Sequence, residues 1–260
     1  MSNEKQTKIN RLISQWRRGT AATASYLNRL GFVHVLLAKY RRGGWLQSFG
    51  RGAYVLPGDR VEWPGALYAV QSQLGLDIHA GGKTALELQG YGHYVPAGKK
   101  RVFLYAKPGV ILPAWFKGER LGVDLVLIRT NLFSEQNHEG FSEWKEREFS
   151  IRIASPERAA MEMLYLVPAK VGFDEASLVM ESLATLRPDV VQSLLETCRS
   201  VKVKRLFMYI SEKHGHSWVG KLNLSWVDFG KGKRMIVSGG EFDTKYQITV
   251  PRSHKEEVRQ

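Results

Sequence analysis

The side chains best suited to chemistry here are cations. His34, Lys39, Arg41 and Arg42 fall within nine residues, and Arg51 stands between two glycines in Gly50-Arg51-Gly52. An arginine fork matches the N7 and O6 acceptors of guanine, and any cation here neutralises a phosphate. Arg17-Arg18 form a further basic pair upstream, placed to clamp phosphate. The chemistry these residues serve is recognition of a polyanion.

Catalytic patterns are weaker. Gly81-Gly82-Lys83-Thr84 resembles the end of a phosphate-cradling loop, but Asp77 stands where that motif needs its first glycine and would repel phosphate. The flanks favour a strand, a glycine turn and a helix built for packing. His214-Gly215-His216 offers two ligands at most, too few to hold zinc, and is expected in a surface loop. His79 and His93 flank glycine-rich turns and read as turn residues. Glu143, Glu146 and Glu148 read as a solvated charge run, with nothing nearby to fix two carboxylates. Asp124 with Glu143-Trp144-Lys145 is the nearest approach to a nuclease centre, but its second half falls in a polar stretch. No G-x-S-x-G elbow is present. The single cysteine, Cys198, excludes an internal disulfide and sits in an apolar-periodic stretch, so a buried thiol is expected. No cofactor or metal is implied.

These cations need elements to hold them. Ile9, Leu12, Ile13 and Trp16 give Lys5 to Trp16 the stripe of an amphipathic helix. Thr20 or Thr23 caps a second helix through Leu30, and Gly31 permits a tight turn. A third helix follows with Val33, Leu36, Leu37 and Tyr40 directed inward, which leaves His34, Val35, Ala38, Lys39, Arg41 and Arg42 on or near the other face. Trp45 to Phe49 and Ala53 to Leu56 make a hairpin with Arg51 at its tip. Helix, helix, turn, helix, hairpin is the plan of a winged helix-turn-helix, in which the third helix meets base edges and the wing meets a minor groove or the flanking backbone. Pro57-Gly58-Asp59 marks a boundary, giving a winged helix-turn-helix domain in residues 1–60 and a larger mixed α/β domain in residues 61–260, an α+β chain overall.

Within that second part, helices are predicted over Trp63 to Leu74, Thr84 to Gln89 and from Ser155-Pro156-Glu157 to Leu166, with two or three more between Phe173 and Lys213. Strands are predicted over Asp77 to Ala80, Val102 to Ala106, Asp124 to Arg129, Phe149 to Ile153 and within Lys221 to Val250. Residues 131–148, with five glutamates, read as a solvated loop.

Charge supports the same chemistry. The net charge of +13 is divided as +9 in residues 1–60, −3 in 61–198 and +7 in 199–260, so both ends attract polyanions. The N-terminal ten residues are too polar for a signal peptide, and no run approaches a membrane span, which predicts a cytoplasmic protein. The competing function is a nucleic-acid-processing or RNA-binding protein with a catalytic C-terminal domain.

Particular residues carry a family resemblance. Ala24-Ser25-Tyr26-Leu27, Gly31, Lys39-Tyr40-Arg41-Arg42-Gly43-Gly44-Trp45-Leu46 and Gly50-Arg51-Gly52-Ala53-Tyr54 resemble the N-terminal domain of AbiEi-type antitoxins. So do Trp63-Pro64-Gly65-Ala66-Leu67, Gly81 to Gly90 and His93-Tyr94, and, further on, Ser155-Pro156-Glu157-Arg158-Ala159. The resemblance implies a non-enzymatic repressor of a type IV, abortive-infection toxin–antitoxin operon that binds inverted repeats in promoter double-stranded DNA. It implies a C-terminal domain that counters a nucleotidyltransferase-type toxin without a stable complex. It also implies basic C-terminal residues at the DNA, for which charge alone selects Lys202, Lys204 and Arg205.

Overall fold

The computed structural model describes residues 8–92, 98–134 and 139–252. Packing divides the chain into one unit of Met1–Ala80, Pro96–Thr130 and Glu143–Ile153, and a second of Gly81–Val95, Asn131–Ser142 and Ala154–Gln260.

The first unit opens with α1 (Lys8–Gln15), whose apolar stripe buries Leu12 and, just beyond it, Trp16. A strand unannounced by the sequence, β1 (Ala22–Thr23), precedes α2 (Ala24–Arg29). Of the two candidate caps, Thr23 does the capping, its side chain accepting from the Tyr26 amide. Gly31 turns the chain at φ +87°, a left-handed conformation open to glycine, into α3 (His34–Arg42). The hairpin β2 (Gln47–Gly50) and β3 (Ala53–Val55) follows, and the sheet order is β1-β3-β2, with Ala22 opposite Tyr54. Leu12, Trp16, Leu27, Phe32, Leu37 and Leu46 form the common core of these helices.

The rest of this unit seats them. Helix α4 (Trp63–Tyr68) widens into a π-helical turn at Ala69–Gln73. A side chain on Gly65 would place its Cβ 1.9 Å from the carbonyl oxygen of Gly19, so glycine is what lets the two backbones approach. At the π-helical end, the buried Gln73 accepts from the Thr23 amide at 2.7 Å and donates to the Ala21 carbonyl at 2.9 Å. Its amide thus satisfies the edge of β1 that β3 leaves open.

A five-stranded sheet follows, in the order β6-β5-β4-β8-β7. Its strands are β4 (Ile78–Ala80), β5 (Arg101–Ala106), β6 (Asp124–Arg129), β7 (Phe141–Glu146) and β8 (Phe149–Ala154). Strand β5 runs parallel to β6, after the short crossover helix α6 (Gly118–Leu121), and antiparallel to β4. Strand β7 corrects the expectation of a solvated loop across 131–148. It is an edge strand, and the exposed positions Glu143 and Lys145 alternate with half-buried Trp144 and Glu146, so its hydrophobic signal is faint.

In the second unit, α7 (Pro156–Tyr165) is the central element. Ala159, Ala160, Met161, Met163 and Leu164 are wholly buried, and α7 packs against α5 (Gly82–Leu88), α8 (Phe173–Glu181), α9 (Pro188–Thr197) and α10 (Val201–Lys213). Ser155 and Pro156 open α7 as expected. A small sheet of β9 (Arg234–Met235), β10 (Glu241–Asp243) and β11 (Ile248–Val250) closes the unit in the order β10-β11-β9.

Two glutamates are buried on α7. Glu157 receives the Arg187 guanidinium at 2.9 and 3.0 Å, the Arg187 amide at 3.0 Å and the Ser155 hydroxyl at 2.6 Å. Burial alone would raise its carboxyl, but these donors outweigh burial and hold it at about 2. Glu162 takes Arg158 at 3.1 Å and the Gly82 amide at 3.1 Å, while Arg158 lies over the rings of Phe133 and Phe141.

Two outcomes are expected. Gly65→Ala lowers stability by about 1–3 kcal/mol through overpacking against Gly19, read as a fall in Tm, and a Tm equal to wild type would discount the close approach. For Glu157, an unfolded carboxyl titrates near 4.5 and the folded one near 2. Its contribution is therefore complete above about pH 4.5 and is lost as pH falls toward 2. The stability gap between wild type and Glu157→Gln should close over that window in thermal melts; a gap independent of pH would refute the assignment.

Candidate nucleic-acid interface

Nine residues of α3 span about 13 Å, two and a half turns. Leu37 and Tyr40 point into the core, and Leu36 is half-buried. His34, Val35, Lys39, Arg41 and Arg42 are exposed. Val35, Lys39 and Arg42 follow an i, i+4, i+7 spacing and share one stripe, with His34, Ala38 and Arg41 along its flank. Val33, expected inward, is instead 58% exposed. It is the N-cap, outside the helix, so the helical period does not direct its side chain. The three cations lie in the last turn, where they also complement the negative end of the helix dipole. The first turn holds no acid and presents His34 and Val35.

The hairpin places Arg51 at an exposed tip. Its position is tied down at two points. The Gly52 carbonyl accepts from the Ala24 amide at 2.9 Å, fixing the tip to the start of α2. The Phe49 ring packs 5.9 Å from Trp115, and the Arg120 guanidinium lies over Phe49 at 5.4 Å. Exposed cations on α3 and at the hairpin tip thus belong to a single packed unit.

The other basic candidates are placed differently. Arg17 donates to the Glu148 carbonyl at 2.7 Å and lies over the Tyr68 ring. Arg18 pairs with Asp59 at 2.8 Å, and its amide donates to the Glu148 carboxylate. Both side chains are exposed, but each already holds the end of α1 against its own unit. The basic residues chosen on α10 are not a solvent-facing cluster. Lys204 is 5% and Arg205 3% exposed. The Arg205 guanidinium donates to the carbonyls of Phe229, Gly230 and Gly232, and Lys202 to those of Tyr165 and Val167. Charge in the sequence did not report direction: α10 is buried on most of its circumference, so Lys202 and Arg205 turn inward onto carbonyl oxygens and Lys204 is buried.

The catalytic alternatives find their places too. The Gly82 amide, at the start of α5 where a nucleotide phosphate would sit, is taken by the Glu162 carboxylate, and Lys83 pairs with Glu175. Asp124 lies on β6 and Glu143 on β7, the opposite edges of the sheet, and Asp124 pairs with Arg101. His216 departs from the expected surface loop: it is buried, contacts the Met180 carbonyl and stacks on Trp218. His214 contacts the Ser177 hydroxyl at 3.0 Å. His79 is a buried strand residue stacked on Tyr105, and His93 lies outside the described residues. Cys198 is buried as expected, which pushes its thiol up to about 11. Among the described residues no group of three or more His, Cys, Asp or Glu could hold a metal ion, and no helix is long and apolar enough to cross a membrane.

Val35, placed on the outward face by period, is exposed as that spacing predicts, and one structural residue went unnamed in the sequence. Gln73, which secures β1, has no local signal at all.

Residues 5–97 match the family model of the transcriptional regulator AbiEi antitoxin N-terminal domain. Residues 99–251 match the model described as transcriptional regulator, AbiEi antitoxin, type IV TA system. No curated protein matches the chain. Among solved structures, the fold is similar to the crystal structure of the RV2827C protein from Mycobacterium tuberculosis. The TM-score is 0.57 at 17% identity, over 92% of this chain and 88% of that one. With both models matched along almost its whole length, the chain belongs to the AbiEi antitoxin family of transcriptional regulators in type IV toxin–antitoxin systems.

Proposed function

We propose that this antitoxin represses its own operon by binding inverted repeats in promoter DNA through a winged helix-turn-helix in residues 1–60. The observation that carries the reading is the outward face of α3, which exposes His34, Lys39, Arg41 and Arg42 on a buried scaffold. Helix α3 enters the major groove, and Arg51 on the wing contacts the adjacent minor groove or backbone. Arg17 and Arg18 position the head through Glu148 and Asp59, with phosphate contact secondary. Residues 61–260 carry the antitoxin role against a nucleotidyltransferase-type toxin, without a stable complex and without catalysis. The carboxylate at the start of α5 and the separation of Asp124 from Glu143 support the non-enzymatic reading.

The test is a gel shift with the DNA upstream of this gene, at two salt concentrations, against scrambled duplex and RNA. Selective binding that weakens with salt is expected. Lys39→Ala and Arg42→Ala each lose about 1–3 kcal/mol where they contact a base, or a uniform share of affinity and salt slope where they contact phosphate. If both variants bind as tightly and selectively as wild type, α3 is not the recognition helix. Equal binding to RNA and random duplex would reduce the head to a general polyanion binder. Arg205→Ala is expected to lower Tm while sparing selectivity in the protein that remains folded. A stable variant that lost operator binding would restore Arg205 as a DNA contact.

A further inference from the structure

The cations of α3 account for attraction to DNA, but they do not account for its most exposed apolar side chain. Val35 is 75% exposed, in the first turn of the helix, directly in line with Lys39 and Arg42. Its neighbours His34 and Lys39 are exposed and polar, and Val33, the 58% exposed N-cap, lies outside the helical stripe. An exposed valine in one stripe with Lys39 and Arg42 fits one feature of a duplex. In the major groove, thymine alone among the four bases presents a methyl group, and that methyl is read by apolar contact. The first turn of a recognition helix is also the part that reaches base edges.

We infer that Val35 is a specificity-determining residue that reads the 5-methyl group of a thymine in the operator. The inference rests on the proposed role of α3 as recognition helix. His34, beside it, is placed to donate to a neighbouring acceptor, while Lys39 and Arg42 hold the flanking phosphates or guanines. Removing the contact should therefore relax discrimination between thymine and bases without that methyl, and leave the charge-driven part of binding and its salt slope in place.

The experiment begins by selecting bound sequences from a random duplex pool with the whole protein. Each thymine of the selected site is then replaced by deoxyuridine, which removes only the methyl group. One position should lose roughly fourfold in affinity with wild type, the worth of one buried methyl-sized group. Val35→Ala, which the exposure of the site leaves able to fold, should lose a similar factor on the thymine duplex. It should lose nothing further on the deoxyuridine duplex, the non-additivity of two groups in contact. Val35→Ile should keep the methyl dependence. If no thymine methyl matters to wild type, or if Val35→Ala keeps the full methyl dependence, the inference fails while the recognition helix stands. If no sequence is enriched at all, the reading of α3 as recognition helix falls, and the role of Val35 with it.

Discussion

The arrangement of the exposed cationic surface of α3 and the hairpin depends on how a two-residue strand is held. Strand β1 pairs with β3 on one side only, and Gln73 supplies the missing partners on the other, one accepting and one donating. Two hydrogen-bonded residues could not hold their place alone. The same Thr23 that Gln73 grips is the N-cap of α2, and α2 leads through Gly31 into α3. Four residues from Thr23, the Gly19 carbonyl lies against Gly65, which requires that α4 present no side chain there. The start of α2, and through it α3, is therefore tied to α4 and the π-helical turn as well as to the core that the first three helices share. Backbone contact and one buried, fully hydrogen-bonded amide add to side-chain packing there.

The distribution of charge carries a second lesson. Both ends of the chain are basic, yet the two ends use their cations differently. At the N-terminal end, Lys39, Arg41, Arg42 and Arg51 stay in solvent. In α10 the cations are consumed internally: Arg205 binds together loop carbonyls between Phe229 and Gly232, and Lys202 holds carbonyls at and just beyond the end of α7. Burial lowers the proton affinity of both. An arginine satisfying several carbonyls stabilises a segment that has no regular structure of its own, which is what residues 227–233 require. The acids on α7 work in the same way. Glu157 and Glu162 anchor Arg187, Arg158 and the start of α5, so the charges at the centre of this unit are structural.

The sequence by itself determined a good deal. The 3.6-residue period found α1, α2 and α3, the Ser155-Pro156 start signal found α7, the glycines found the turns, and the strands β4, β5, β6 and β8 fell close to their expected ranges. Such features are local, set by backbone preference and by one buried face, and so they are written in adjacent residues. The outward face of α3 was legible for the same reason, as was the family. Tertiary structure alone decided the rest. The strand β7 owes its existence to a neighbour in the sheet, although four of its six residues are polar or charged. The amide of Gln73 finds β1 across fifty residues of chain. Whether a cation such as Arg42 or Arg205 meets solvent or a carbonyl depends on which face of its helix is covered, and that covering comes from segments distant in the sequence. Counting charges gives their number, whereas burial, a property of the whole packing, gives their direction.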